Sequence, residues 1–180
     1  MDKDKKERIS VEQLAQNLAT FAIDRTDLKQ LLAAIPENSG LNLDTIEYEL
    51  QILKILSVGW AVSFYMAATD KNKPVLTQAF WEFIREISQN ISTLTETTTG
   101  KSLDYFEILK QRIETYLEIM KEKPDEAQDP ATIMGPAFAS ICNSENNAMA
   151  ILTGTKMFTL TLGGVKEYLN AVEIEDTNLN

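Results

Sequence analysis

The chain has no histidine and a single cysteine, Cys142. Without histidine it lacks the commonest general base, pH switch and transition-metal ligand. A di-iron bundle, which uses Glu-x-x-His on facing helices, is excluded on the same ground. One cysteine forms no intrachain disulfide. Beside Ile141 and Asn143 it reads as a small buried side chain and not as a nucleophile. Glycine and proline are also few, 7 and 5 in 180 residues, and they cluster between apolar runs. That spacing favours long regular elements joined by short connections.

Positive charge is scarce. There are 27 acids against 17 bases, a formal net charge of −10. Such a surface repels a phosphate backbone, so nucleic acid is not an expected partner. The acids concentrate in 114–129 and in the tail, where Glu173, Glu175 and Asp176 carry no neighbouring base. Both read as solvated surface, or as docking ground for a basic partner.

Long apolar runs are missing as well. The nearest approach is ELQILKILSVGWAVSFYMAATD, 49–70. Its uncharged part, Ile55–Ala68, is interrupted by Ser57, Gly59 and Ser63. A membrane-spanning helix needs about 20 apolar residues. No span is expected here; a central helix covered on most sides explains the stretch. The start, MDKDKKERIS, is charged and leads into no apolar h-region, so no secretory signal is read and a cytoplasmic location is expected.

What is present is helical periodicity. Ser10 and Gln13 have capping-box spacing. Leu14, Leu18, Phe21, Ala22, Leu28, Leu31, Leu32 and Ile35 then predict a first helix, irregular near Thr26-Asp27 and ended by Pro36 and Gly40. A second is expected from about Asp44 to Ala68, followed by a turn at 70–74. Phe80, Ile84, Ile87, Ile91 and Leu94 step by fours and threes in a third, broken by TETTTGKS, 95–102. Phe106, Leu109, Ile113, Tyr116, Leu117 and Met120 mark a fourth. KPDEAQDP, 123–130, reads as a linker. Asp129-Pro130 can cap and start a fifth helix, with Gly135-Pro136 delaying that start and Gly154 ending it. Phe158, Leu162, Val165, Leu169 and Val172 predict a sixth, although FTLTLGG also alternates in twos as a strand would.

The expected fold is therefore all-α. It is a single-domain bundle of about six helices, mostly antiparallel, over 10–172. Residues 1–9 are expected as a mobile charged lead-in and 173–180 as an acidic mobile tail.

Chemical motifs are few. TGKS resembles the end of a phosphate-binding loop, but the first glycine of that pattern would fall at Thr95 and a helix, not a strand, precedes it. Gly100 as a helix stop with Ser102 as the next cap is the simpler reading. Glu114, Glu118 and Glu122 share a helix face beside the apolar seam 113, 116, 117, 120, which puts them toward solvent. No catalytic set, metal site or cofactor is expected.

Two regions are poor in charge: the second helix, and Pro130 to Val165, where only Glu145 and Lys156 are charged. A chain of this size buries one helix readily and three with difficulty. The excess points to cover by another chain, and a symmetric homodimer is the commonest solution. Trp60, Phe64, Tyr65 and Trp81 form an aromatic concentration suited to core or interface. Asn143, Glu145 and Asn147 lie in ICNSENNAMA. That segment is either a turn or a buried polar site whose partners would include Thr159 or Thr161. Ile151 follows on the same region.

These residues, Trp60, Phe64, Tyr65, Trp81, Asn143, Glu145, Asn147, Ile151 and Thr159, are the candidate interface or ligand pocket. The leading expectation is a non-enzymatic bundle working by protein–protein interaction as an adaptor, regulator or assembly subunit, and self-associating. The alternatives are a bundle that binds an apolar or amphipathic small molecule between the second, fifth and sixth helices, and a coat for hydrophobic surfaces.

Overall fold

The computed structural model describes residues 6–123 and 129–175. Most of the linker 123–130, the first five residues, and 176–180 of the acidic tail lie outside the described residues. Within them the chain runs β1 (Glu7–Ile9), α1 (Val11–Ile23), α2 (Thr26–Ala33), a 3-10 turn (Glu37–Ser39), α3 (Leu43–Tyr65), α4 (Asn72–Thr99), α5 (Tyr105–Glu122), α6 (Pro130–Ile141), α7 (Ala148–Ala171) and β2 (Val172–Ile174). The fold is an all-α, single-domain bundle with one small pair of parallel strands.

Local chemistry sets the boundaries. Ser10 starts α1, its hydroxyl accepting from the Gln13 amide at 3.1 Å. The irregularity foreseen near residue 26 is a full break. Asp24 leaves the helix and its carboxylate accepts from the Thr26 amide and hydroxyl. These two bonds hold the Asp24 carboxyl below its ordinary pKa. The expected first helix thus becomes α1 and α2.

Two expected breaks are helical in part: of 70–74 Asn72–Pro74 belong to α4, and of 95–102 Thr95–Thr99 do. Pro74, in the 70–74 segment, sits in the first turn of α4, where a missing N–H costs nothing. The threonines of TETTT stay in α4 because their hydroxyls bond back one turn: Thr97 to the Thr93 carbonyl, Thr98 to Leu94 and Thr99 to Thr95. The helix stops only at Gly100, which takes a left-handed φ of 68°. Asp104, not Ser102, caps α5, accepting from the Glu107 amide at 3.0 Å.

The fifth and sixth helices divide elsewhere than expected. Asp129 accepts from the Ala131 amide at 3.2 Å and Pro130 opens α6. Gly135-Pro136 does not delay the start, since Pro136 lies inside the helix. The division falls at ICNSENN and not at Gly154. Asn143 takes φ 53°. Its amide donates to the Ser140 carbonyl at 2.9 Å, and the Ser144 amide reaches back to Ala139 at 2.8 Å. That is a Schellman stop with asparagine in the left-handed position. Asn147 then caps α7, accepting from the Met149 and Ala150 amides. FTLTLGG is helical, as periodicity over the longer window required.

The helices α3, α5 and α7 run the same way, and α1 runs against α7, with Asn17 meeting Tyr168 and Phe21 meeting Gly164. Glu49 of α3 meets Arg112 of α5, and Trp60 meets Tyr116 further along both. Trp60 and Tyr65 likewise meet Phe158 and Lys166 of α7 in ascending order. Centrally placed α3 is buried continuously over Ile52–Gly59. This answers the question its low charge raised. Lys54 in that run has no exposed side-chain surface. Its ammonium donates to the Asp24 carbonyl at 2.8 Å and to Asp27 at 3.3 Å, and lies 4.6 Å from the centre of the Phe21 ring. A buried charge with that many partners is tolerable.

β1, and β2 beyond Val172, lie outside the expected bundle bounds, and Val172, expected to close the sixth helix, opens β2 instead. Residues 7–9, expected as part of a mobile lead-in, pair in parallel with 172–174, Ile9 against Ile174. The reason is burial: Ile9 and Val172 are both sealed into the core. Three residues are too few for sequence periodicity to reveal. Among the described helices, α7 alone is long and apolar enough to cross a membrane by length and composition, and 39% of its most apolar window is buried inside the bundle.

Candidate functional site

The nine candidate residues separate into three places. Trp60 is a packing residue at the α3–α5–α7 junction, edge-on to Tyr116 at 5.8 Å and to Phe158 at 6.4 Å. Trp81 of α4 lies edge-on to Phe80 and covers Gly59, where an added Cβ would stand 2.7 Å from the indole. Asn143 and Asn147 build the turn between α6 and α7. Asn147 also ties that turn to the 3-10 turn before α3, donating to the Ser39 carbonyl at 2.8 Å. Glu145 is exposed in the same turn. Thr159 and Thr161, foreseen as partners of the asparagines, instead bond back within α7. Trp60 meets α7 eleven residues beyond Asn147, about 16 Å along the helix. The two do not share a pocket.

The third place is an exposed face. Leu152, Lys156, Thr159, Leu160, Gly163, Glu167 and Asn170 are all exposed and fall on one side of α7 at helical spacing. Leu152 and Leu160 are 43% and 54% exposed, high for leucines in mid-helix. Ile151, one residue off this line, turns partly into the core. Phe64 and Tyr65, 48% and 40% exposed, end α3 beside the far part of α7, where Lys166 lies over the Tyr65 ring. At Gly163 an added Cβ would meet nothing within 4 Å, so the backbone there is open to an approaching group.

Reading the sequence missed a polar cluster inside the bundle. Glu49, 4% exposed, accepts from Arg112 through both oxygens, at 2.9 Å and 2.6 Å. The Tyr116 hydroxyl is buried without a hydrogen-bond partner. Burial, then the Glu49 charge, pushes that hydroxyl well above its ordinary pKa. The same two causes push the Cys142 thiol up to about 12, against a partial offset from Arg112. A thiol held protonated is inert as a nucleophile. Glu49 was legible only as the edge of an apolar run, since nothing in the spacing points to Arg112, 63 residues on.

The raised acids make an alkaline prediction. Their protons are held more tightly in the folded chain than in the unfolded one. Stability is therefore complete below the unfolded values, near pH 9 for the thiol, and falls as pH rises toward the folded ones. Between pH 8 and 10.5 the loss expected from Cys142 alone is about 2 kcal/mol. Urea midpoints at the two pH values should show it, and Cys142→Ala should show a shallower decline. An equal decline in both proteins would contradict the assignment.

Among the described residues, no group of three or more Cys, Asp or Glu side chains is placed to hold a metal ion. No family model, curated protein or solved structure matches the chain.

Proposed function

We propose that the chain is a non-enzymatic, self-associating bundle that works by protein–protein interaction, and that α7 is its contact helix. The observation carrying this reading is the exposed face from Leu152 to Asn170, from which Leu152 and Leu160 project. Its composition favours a second copy over an unrelated partner. Laid antiparallel across a twofold axis between residues 161 and 162, two α7 helices put Leu160 of each over Gly163 of the other. The same register places Lys156 opposite Glu167. A projecting leucine over an open glycine backbone, flanked by opposite charges, is self-complementary in the manner an isologous interface requires. Phe64 and Tyr65 extend the apolar surface at one end.

The expected result is a dimer at micromolar concentration by sedimentation and native mass spectrometry. Leu160→Asp and Gly163→Leu, both at exposed positions, should raise the dimer dissociation constant roughly 100-fold without loss of helicity. Lys156→Glu should weaken association, and Lys156→Glu combined with Glu167→Lys should restore it. A wild-type monomer at tens of micromolar, or a charge reversal without effect, would remove the proposal.

A further inference from the structure

A groove of about 480 Å³ opens between the start of α1 and the first half of α4. Neither helix takes part in the proposed α7 contact. Val11, Val75, Ala79 and Phe83 form an apolar floor. Val75 is 55% exposed, and Phe83 is only partly buried. Asn72, Val75, Ala79, Glu82 and Glu86 recur at threes and fours, so the groove follows α4 for about 21 Å.

The flanks of that floor carry one sign of charge. Glu12 stands on the α1 wall, and Glu82 and Glu86 stand one turn apart on the α4 wall. All three are exposed. Glu82 accepts from the Gln78 amide at 2.9 Å, a neutral donor that leaves its charge in place. Among the described residues that line the groove none is basic, and Arg85, next to Glu86, lies off the lining. Lys73 turns its ammonium to the Ser63 and Met66 carbonyls at the end of α3. The start of α1 contributes about half a positive charge, against three carboxylates. Along α4 the backbone groups are bonded within the helix, so an extended peptide would find no ladder to join.

We propose that this groove docks a basic amphipathic helix of a partner protein. Its apolar side chains lie on the floor made by Val75, Ala79 and Phe83. Its lysines or arginines flank that seam, facing Glu12 on one side and Glu82 and Glu86 on the other. A helix satisfies its own backbone and presents anchors at threes and fours, the spacing of the floor. About four turns match the groove's length. An acidic helix would meet like charge on both walls, and a basic chain without an apolar face would leave the floor in water.

Fluorescence anisotropy of the full chain with a labelled peptide of about four helical turns, leucine on one face and lysine on the other, tests this. The expected result is saturable micromolar binding, one peptide per chain. The same peptide with glutamate for lysine, and oligolysine of equal length, should each bind roughly tenfold more weakly or worse. Glu82→Lys combined with Glu86→Lys should weaken the leucine–lysine peptide about tenfold. Glu114→Lys combined with Glu118→Lys, on the exposed side of α5, should leave it unchanged. Val75→Asp separates the two contributions. It adds an attractive charge, so charge alone requires tighter binding, whereas a seated apolar face requires binding about fivefold weaker. All five positions are exposed, so the variants should keep their helicity. The readout does not depend on whether the chain dimerises. No saturable binding, oligolysine binding as well as the amphipathic peptide, an equal loss from the α5 pair, or tighter binding by Val75→Asp would each overturn the proposal. A shift in self-association with Val75→Asp would make a second copy the occupant and overturn it too.

Discussion

Gly135→Ala is expected to destabilise the protein by about 2–3 kcal/mol, although alanine is the better helix former by about 1 kcal/mol. The reason is the close crossing of α6 and α7. A Cβ on Gly135 would collide with the Thr155 hydroxyl and stand 2.6 Å from the Ile151 backbone oxygen. A threonine can turn away, but a helical carbonyl moves only with its helix. Gly154 repeats the arrangement from the other side: its added Cβ would lie 2.6–2.7 Å from Phe138. The two glycines together let α7 seat against a short α6 that already contains Pro136. Thermal unfolding should show a fall of roughly 5–10 °C for Gly135→Ala. A midpoint at or above the wild type would mean that the helices are not held so closely.

Removing Arg112 should cost more. Arg112→Met leaves Glu49 buried, 4% exposed, with neither of its two bonds to the guanidinium. Breaking one side of a buried pair costs about 3–5 kcal/mol, because the remaining charge has lost its solvation and its partner together. The cost belongs to the stranded charge and not to the attraction itself. Glu49→Leu combined with Arg112→Met should therefore recover most of the loss, where two independent losses would add. Urea denaturation of the three variants decides between these outcomes. A single-variant loss under about 1 kcal/mol would mean that Glu49 finds water when Arg112 is removed.

The sequence by itself determined the class of the fold and most of its helices. Steps of three and four at 80–94, 106–120 and 158–172 require one buried face each, and burial of a face is a local pattern repeated along the chain. Low charge in α3 was enough to place it centrally, because charged side chains resist full burial. The capping of α1 by Ser10 and the start of α6 at Asp129-Pro130 were legible for the same reason: each bond joins residues two or three apart.

The remainder needed the tertiary structure. Thr95–Thr99 look like a break, and hydroxyl bonds one turn back keep them helical. Residues 7–9 carry no readable period, and they pair because Ile9 and Val172 meet in the core across 163 positions of chain. Glu49 with Arg112, and Lys54 with Asp24 and Asp27, are pairings between separate helices. The nine candidate residues were scattered for the same reason. Helical spacing says which residues share a face, but only packing decides which face meets which. So Trp60 and Trp81 went to helix junctions and Asn143 and Asn147 to a turn, while the α7 face around Leu160 and Gly163 was left uncovered.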